Sequence, residues 1–199
     1  WTLVYPKNNL RNISSLISGE ISRIKNFYLG CENMRKYFYW LLPFLWMGMI
    51  FRSSGQSYEE QNIQPLLMNA VDLAFLTPFL DWISFTYNTS VISVEALGMA
   101  GFMEFFIRKG AHVFVFFILL CFFYIAFNKT TKIKFKTTML ISFLLTFTYA
   151  GLDEFHQGFT DNRTSYIGDV FLDGFGAVLG VFLLSIIHYI KNKTALTDT

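Results

Sequence analysis

The sequence predicts an all-α integral membrane protein with four transmembrane helices and further amphipathic helices at the membrane surface. Hydrophobic residues make up 53% of the 199 residues, and 24 residues are phenylalanine. Only 15% of the residues are charged, against about 25% in ordinary soluble domains. Long apolar runs alternate with short polar segments. This combination is typical of a chain whose main solvent is the lipid bilayer.

The charge argues against a nucleic-acid-binding protein, and the cysteines argue against a disulfide-bonded one. The net charge of +2 is too small to indicate a nucleic-acid partner, and the basic residues lie at the ends of apolar segments, as membrane topology requires. Cys121 lies inside an apolar run and Cys31 lies near the N-terminus. We therefore expect no disulfide. The expected partner is the lipid bilayer, and the sequence carries no signal for an oligomeric state.

Three regions follow from the distribution of apolar residues. We expect residues 1–33 to be an N-terminal extension, residues 34–193 to be the membrane domain and residues 194–199 to be a tail. Met34 precedes two basic residues and an apolar run, the pattern of an uncleaved first span, so we expect the natural start near Met34. The alternative is an N-terminal surface helix. Its apolar residues would be Ile13, Leu16, Ile17 and Ile21.

Four apolar runs are the predicted membrane spans. The first runs from Tyr37 to about Phe51, and the second runs from Gly110 to Phe127. The third runs from Thr137 to about Leu152, and the fourth runs from Tyr166 to Ile190. The first run is short for a bilayer core, which needs about 20 residues. Aromatic residues at its start are suited to the membrane interface.

Residues 63–107 are more polar than the predicted spans. Two half-apolar pieces, 63–85 and 91–107, contain four acidic residues and two prolines. We interpret them as two amphipathic helices lying on the membrane surface, with a loop at Asn88-Thr89-Ser90 between them. Continuous membrane spans are the alternative.

The distribution of lysine and arginine predicts the orientation. With the N-terminus inside the cell, and counting from Met34, inner segments hold eight basic residues and outer segments hold four. Cytoplasmic loops carry the excess of lysine and arginine. We therefore expect a multi-pass protein of the bacterial plasma membrane with both termini in the cytoplasm. The most polar helix ends then face outwards.

Polar residues at helical spacing mark these outer helix ends. Glu104, Arg108 and His112 are four residues apart, as are Asp169 and Asp173. Residues at this spacing share one face of a helix. Gly176 and Gly180 continue the face of the last helix, and such a small-residue face lets a neighbouring helix approach closely. Ionisable groups at membrane depth are costly and point to a functional site.

The polar residues suggest two kinds of chemistry. A candidate acid/base cluster consists of His112, Asp153, Glu154 and His156. The candidate residues for binding an anionic lipid-linked or cell-wall ligand are Arg108, Lys109, Gln157, Arg163, Asp169 and Asp173. Two alternatives stay open. The cluster is a structural network of packed helices, or it holds a divalent metal, although no metal-binding spacing such as HExxH supports one and no cofactor is expected.

Three segments resemble a known family. They are WMGMIFRSSGQS, FIRKGAHVFVFFIL and DEFHQGFTDNRTSYIGDVFLDGFGAVLG. On these segments the chain from Met34 to about Lys193 resembles the VanZ-like family of small bacterial membrane proteins. The family positions that match are Arg108, Lys109, His112, Asp153, Glu154, His156, Gln157, Arg163 and Asp169.

The resemblance implies a role in the cell envelope. The member that gives the family its name is associated with low-level resistance to the glycopeptide antibiotic teicoplanin. We therefore expect a protein that lowers glycopeptide susceptibility by acting on or binding an outer-leaflet lipid or cell-wall component; whether it is an enzyme stays open. The alternative is a non-catalytic membrane protein whose polar motif packs helices or docks a partner. A transporter is disfavoured, because four spans without an inverted repeat give little material for alternating access.

Overall fold

The computed structural model describes residues 19–25, 27, 30, 34, 36–57, 59–70, 73–160 and 165–197. Most of these residues are helical, in agreement with the predicted all-α membrane class. The four main helices are α1 (Leu41–Ser54), α4 (Val94–Thr130), α5 (Phe135–Gln157) and α6 (Ile167–Thr197). Between α1 and α4 lie α2 (Gln64–Ala70), α3 (Thr77–Leu80) and the strands β1 (Ser84–Tyr87) and β2 (Ser90–Ser93).

Three helices of the described chain, α4, α5 and α6, are long and apolar enough to cross a membrane. They contain the second, third and fourth predicted spans. Helix α1 has 14 residues and follows a single 3₁₀ turn, Phe38–Trp40. The turn and helix together are about 27 Å long, close to the roughly 30 Å of a bilayer core. Helix α1 is nonetheless not among the three described helices that are long and apolar enough to cross a membrane, so the first predicted span stays a prediction.

The four main helices alternate in direction. Trp40, before α1, packs edge-on against Phe127 near the end of α4, with ring centroids 4.9 Å apart. Phe135, at the start of α5, stacks on His188 near the end of α6, with centroids 3.9 Å apart. One end of the bundle therefore holds the lysine-containing turn between α4 and α5. The opposite end holds the end of α1, the end of α5 and the start of α6, and we call it the polar end.

The predicted surface helices over 63–85 and 91–107 are wrong in part. The first piece holds only the short helices α2 and α3, with a 3₁₀ turn, Leu73–Leu76, between them. It is followed by an antiparallel hairpin in which Ser84 pairs with Ser93 and Tyr87 with Ser90. Phe85, Thr86 and Tyr87 in β1 and Val91 and Ile92 in β2 are aromatic or β-branched, and such residues fit a pleated surface.

Two residues close the hairpin. Asn88 and Thr89 both have positive φ, 44° and 67°, as a type I′ turn requires. The twist of such a turn matches the twist of paired strands, so it favours a tight hairpin. The loop predicted at this position is therefore the turn itself.

The second predicted surface helix is instead the start of α4. The hydroxyl of Ser93 accepts a hydrogen bond of 3.1 Å from the amide of Ala96 and so caps the helix. Gly98, with φ 69° and ψ 166°, breaks the first turn in a conformation that glycine adopts without strain. From there a single helix runs through Glu104, Arg108 and His112, as the predicted polar stripe requires.

Glycines on α6 set its distance from α4. A Cβ atom at Gly176 would lie 2.1 Å from the carbonyl oxygen of Val113, and one at Gly180 would lie 2.6 Å from a methyl of Leu120. Both distances are too short for a side chain. This confirms the predicted small-residue face, because the two backbones touch where the glycines lie.

Side-chain hydrogen bonds to main-chain carbonyls hold α1 in the bundle. The indole of Trp46 donates to the carbonyl of Val115 at 2.9 Å. The hydroxyl of Tyr149 donates to the carbonyl of Met47 at 2.6 Å. Both bonds link α1 to a neighbouring helix, the first to α4 and the second to α5.

We expect Gly176→Ala to destabilise the protein by about 1–3 kcal/mol, the usual cost of overpacking. The added methyl would overlap the Val113 carbonyl, which belongs to a helical backbone and cannot move alone. The measurement is the midpoint of thermal unfolding in mild detergent. Gly110→Ala is the matched control, because nothing lies within 4 Å of its Cβ position. Equal midpoints for the two variants would contradict the close approach.

Candidate functional site

The polar stripes of α4, α5 and α6 meet at the polar end, next to a cavity of about 470 Å³. The cavity lies between α1, α4, α5 and the segment that follows α1. Its polar lining residues are Ser53, Ser54, Gln56, Gln61, Glu104, Arg108, His112 and Asp153. Its apolar lining residues are Met49, Ile50, Ile63, Ile107, Ala111 and Val115. The wall is therefore amphiphilic, as expected for a site that accepts a ligand with polar and apolar parts.

Glu104 is a buried carboxylate with several donors. It is 1% exposed and pairs with Arg108, whose Nη2 lies 2.8 Å from Oε1. The side-chain amide of Gln64 donates to Oε2 at 2.7 Å, and Arg108 also donates to Oε1 of Gln61 at 3.2 Å. This network joins the segment 61–64 to α4. It forms one wall of the cavity.

Asp153 lines the cavity and carries a buried oxygen that has no hydrogen-bond partner among the described residues. It is 2% exposed, and its Oδ2 accepts a hydrogen bond of 2.9 Å from the side-chain amide of Gln157. Its Oδ1 has no hydrogen-bond partner among the described residues. A buried acceptor left unpaired costs about 1–3 kcal/mol. Asp153 is therefore a lining residue that would gain a hydrogen bond from a ligand.

His112 lies between the cavity and α6. Its Nδ1 is 3.3 Å from Oδ1 of Asp173, which is within ion-pair distance for a protonated ring. Asp173 is fully buried. A carboxylate beside one ring nitrogen fixes the orientation of an imidazole. Since Nδ1 faces Asp173, Nε2 is the nitrogen left for a cavity ligand.

A second group of polar side chains ties the hairpin to the bundle. The ammonium of Lys109 pairs with Asp169, and the hydroxyl of Tyr87 donates to the same carboxylate at 2.6 Å. The ammonium also lies 4.7 Å from the centroid of the Tyr87 ring. We call Lys109, Asp169 and Tyr87 the hairpin latch. They are not among the described lining residues of the cavity.

Glu154 and His156 also lie outside this lining. Glu154 is buried, and its Oε1 accepts a hydrogen bond of 2.5 Å from the amide of Tyr166, so it holds the start of α6. His156 stacks on Phe51 with ring centroids 4.0 Å apart. Of the predicted acid/base cluster, the structure therefore brings only His112 and Asp153 to the cavity. Arg163 lies outside the described residues.

Two contributors were missed by sequence reasoning. Gln61 lies in the polar segment between the first predicted span and residue 63, and its side chain bonds Ser53 and Arg108. Tyr87 lies in a run that was assigned to surface helices and loop, although aromatic and β-branched residues beside Asn88 indicate a hairpin. Within the described chain, no group of three or more His, Cys, Asp or Glu side chains is arranged to hold a metal ion.

We expect Tyr87→Phe to loosen the hairpin latch and to destabilise the protein by about 1 kcal/mol, the worth of one hydrogen bond. Burial, and then the hydrogen bond to Asp169, raise the pKa of the Tyr87 hydroxyl above its ordinary value of 10.0. A raised folded-state pKa gives stability that is complete below the unfolded pKa and is lost as the pH rises further.

The measurement is thermal unfolding of both proteins from pH 8 to pH 11. The stability difference between them should stay constant below about pH 10 and shrink above it. Phe85→Leu, in the same strand, is the control for loss of an aromatic contact. A difference that grows above pH 10 would contradict the donated hydrogen bond.

Comparison with known proteins agrees with these motifs. A family model described as VanZ/LLP1 matches residues 38–188. No curated protein and no solved structure matches the chain. The matched region contains α1, the hairpin, α4, α5 and most of α6, and thus every described residue that lines the cavity. Because the match covers well over half of the 199 residues, this membrane protein belongs to the VanZ/LLP1 family.

Proposed function

We propose that this protein lowers the susceptibility of bacteria to glycopeptide antibiotics such as teicoplanin. It does so by binding, or acting on, the polar headgroup of an outer-leaflet lipid or a lipid-linked cell-wall component in the cavity at the polar end. Membership of the VanZ/LLP1 family supports the envelope role. The observation that carries the proposal is the amphiphilic cavity of about 470 Å³.

The placement of basic residues supports an outward-facing cavity. The turn between α4 and α5, at the opposite end of the bundle, has Lys132 and Lys134 within it and Lys129 and Lys136 beside it. An excess of lysine marks the cytoplasmic side of a bacterial membrane protein. The polar end then faces the outer leaflet, with both termini in the cytoplasm. Cell-wall precursors and glycopeptides meet on that side.

The lining suits an amphiphilic ligand. Ile107 and Val115 give the cavity an apolar side, while Arg108, His112 and Asp153 give it a polar side. The guanidinium of Arg108 is positioned by Glu104 and Gln61 and adds the positive charge that an anionic group needs. A lipid supplies both, with a polar headgroup and apolar acyl chains.

If the protein is an enzyme, His112 is the proton-transfer group. It lines the cavity, and Asp173 sits beside its other ring nitrogen, which is the arrangement of a positioned general base. Asp153, in the same wall, would orient the reacting group. His156, the other sequence candidate, stacks on Phe51.

A structural role is the second candidate, and specific contacts favour it for part of the cluster. The Glu104–Arg108 pair and the hairpin latch each link separate segments of the chain. Removing one member of such a pair strands the other in a low-dielectric interior. These residues would then set the amount of folded protein rather than contact a ligand.

We expect His112→Gln to leave folded, membrane-inserted protein and to abolish protection against teicoplanin. The amide keeps a polar side chain but removes the imidazole from the cavity wall. The measurements are folded yield in mild detergent and the teicoplanin susceptibility of cells that express each variant.

The matched control is His188→Gln, because His188 stacks on Phe135 at the other end of the bundle. Its yield and its protection should both equal those of the unmodified protein. If yield and protection fall together in His112→Gln, the imidazole is part of the scaffold, and the cavity proposal fails.

A further inference from the structure

We infer that the cavity binds a primary ammonium group at Asp153. This inference rests on the proposed function and names the chemistry of the ligand. An aminophospholipid headgroup and the free amine of a cell-wall peptide share this chemistry. The polar ligand is then zwitterionic, with its amine at Asp153 and its anionic group at Arg108.

The charges of the cavity wall are not balanced. Arg108 is the cation of the described lining, and its guanidinium pairs with Glu104 at 2.8 Å. Asp153, the second carboxylate of the lining, has no ion-pair partner among the described residues. A carboxylate buried without a cation is costly. A ligand cation would remove that cost.

The hydrogen-bonding state of Asp153 points in the same direction. Only Oδ2 has a partner, the amide of Gln157 at 2.9 Å, while Oδ1 is buried and has none in the described chain. An ammonium group supplies both the missing charge and the missing N–H donor. A neutral hydroxyl would supply the donor alone.

The surroundings of Asp153 disfavour an anion at the same position. A phosphate there would lie beside the Asp153 carboxylate, with the Asp173 carboxylate behind His112. Like charges in one desolvated site cost several kcal/mol. Arg108 is the position in the wall that suits phosphate, so the amine and the anion occupy different places.

His112 completes the recognition of an amine. Its Nδ1 is 3.3 Å from Asp173, which leaves Nε2 free to accept an N–H from the ligand when the imidazole is neutral. An ammonium group has several N–H donors, and Asp153 and His112 line the same cavity. A quaternary ammonium carries the charge but no N–H, so it tests whether the hydrogen bonds matter.

The test measures binding to the full chain in mild detergent. The probes are dihexanoyl phosphatidylethanolamine, dihexanoyl phosphatidylglycerol and dihexanoyl phosphatidylcholine, together with a soluble lysine-containing peptide. Affinity is read from the rise in the unfolding midpoint with ligand concentration. We expect the ethanolamine lipid to bind about tenfold more tightly than the glycerol lipid, since one hydrogen bond between charged groups is worth at least this factor.

Asp153→Asn should remove the preference for the amine and leave the two lipids with equal affinity. Asp81→Asn is the matched control, because Asp81 is exposed and lies outside the cavity lining. It should keep the tenfold preference. The comparison of lipids on the unmodified protein stays decisive even where Asp153→Asn fails to fold.

The remaining outcomes separate this inference from the proposed function. Preference for the lipid amine or for the peptide amine supports the inference and assigns the source. Equal binding of ethanolamine and glycerol lipids, or a preference that survives Asp153→Asn, overturns the ammonium site but leaves the cavity as a headgroup site. If no probe shifts the midpoint, both the inference and the proposed headgroup site fail.

Discussion

The structure depends on the direct contact between the backbones of α4 and α6. With Gly176 against the carbonyl of Val113, the two parallel helices keep one register along their length. About one turn towards the polar end of α6, Asp173 meets His112, the neighbour of Val113 in α4. One turn further, Asp169 meets Lys109. The glycine contact thus determines which ionisable groups lie together. On the facing sides of α4 and α6, the ionisable groups lie nearer the polar end than the small residues do.

His112 connects the two sides of α4. The side that faces α6 is filled by paired groups, and the hairpin is held there through Tyr87. The side that faces α1 and α5 contains the cavity. Trp46 attaches α1 to α4, and Tyr149 attaches it to α5. The imidazole belongs to both sides. Asp173 sets the orientation of the ring through Nδ1, and the Nε2 nitrogen is left for the cavity.

Hydropathy and helical spacing predicted the three long helices, the polar stripes and the glycine face, because these depend on local periodicity. The hairpin was missed because strands of four residues give a short apolar pattern that periodicity cannot tell from a helix. The cavity was not predictable, because it depends on side-chain bonds between distant helices. His156 was grouped with Asp153, yet three residues leave them about 60° apart around a helix, enough to turn the imidazole onto Phe51.

The structural and the ligand-binding interpretations apply to different members of the polar cluster. Glu104 joins the segment 61–64 to α4 through Gln64, and the hairpin latch joins β1, α4 and α6, so both are suited to fixing a rigid frame. Asp153 keeps a buried oxygen without a partner in the described chain. An unpaired buried oxygen lowers the stability of the fold. Proteins accept such a cost at functional sites, where the atom can bind a ligand. Of the two carboxylates in the cavity lining, Glu104 is satisfied and builds the wall, whereas Asp153 keeps an unpaired oxygen and is where we infer that the ligand is held.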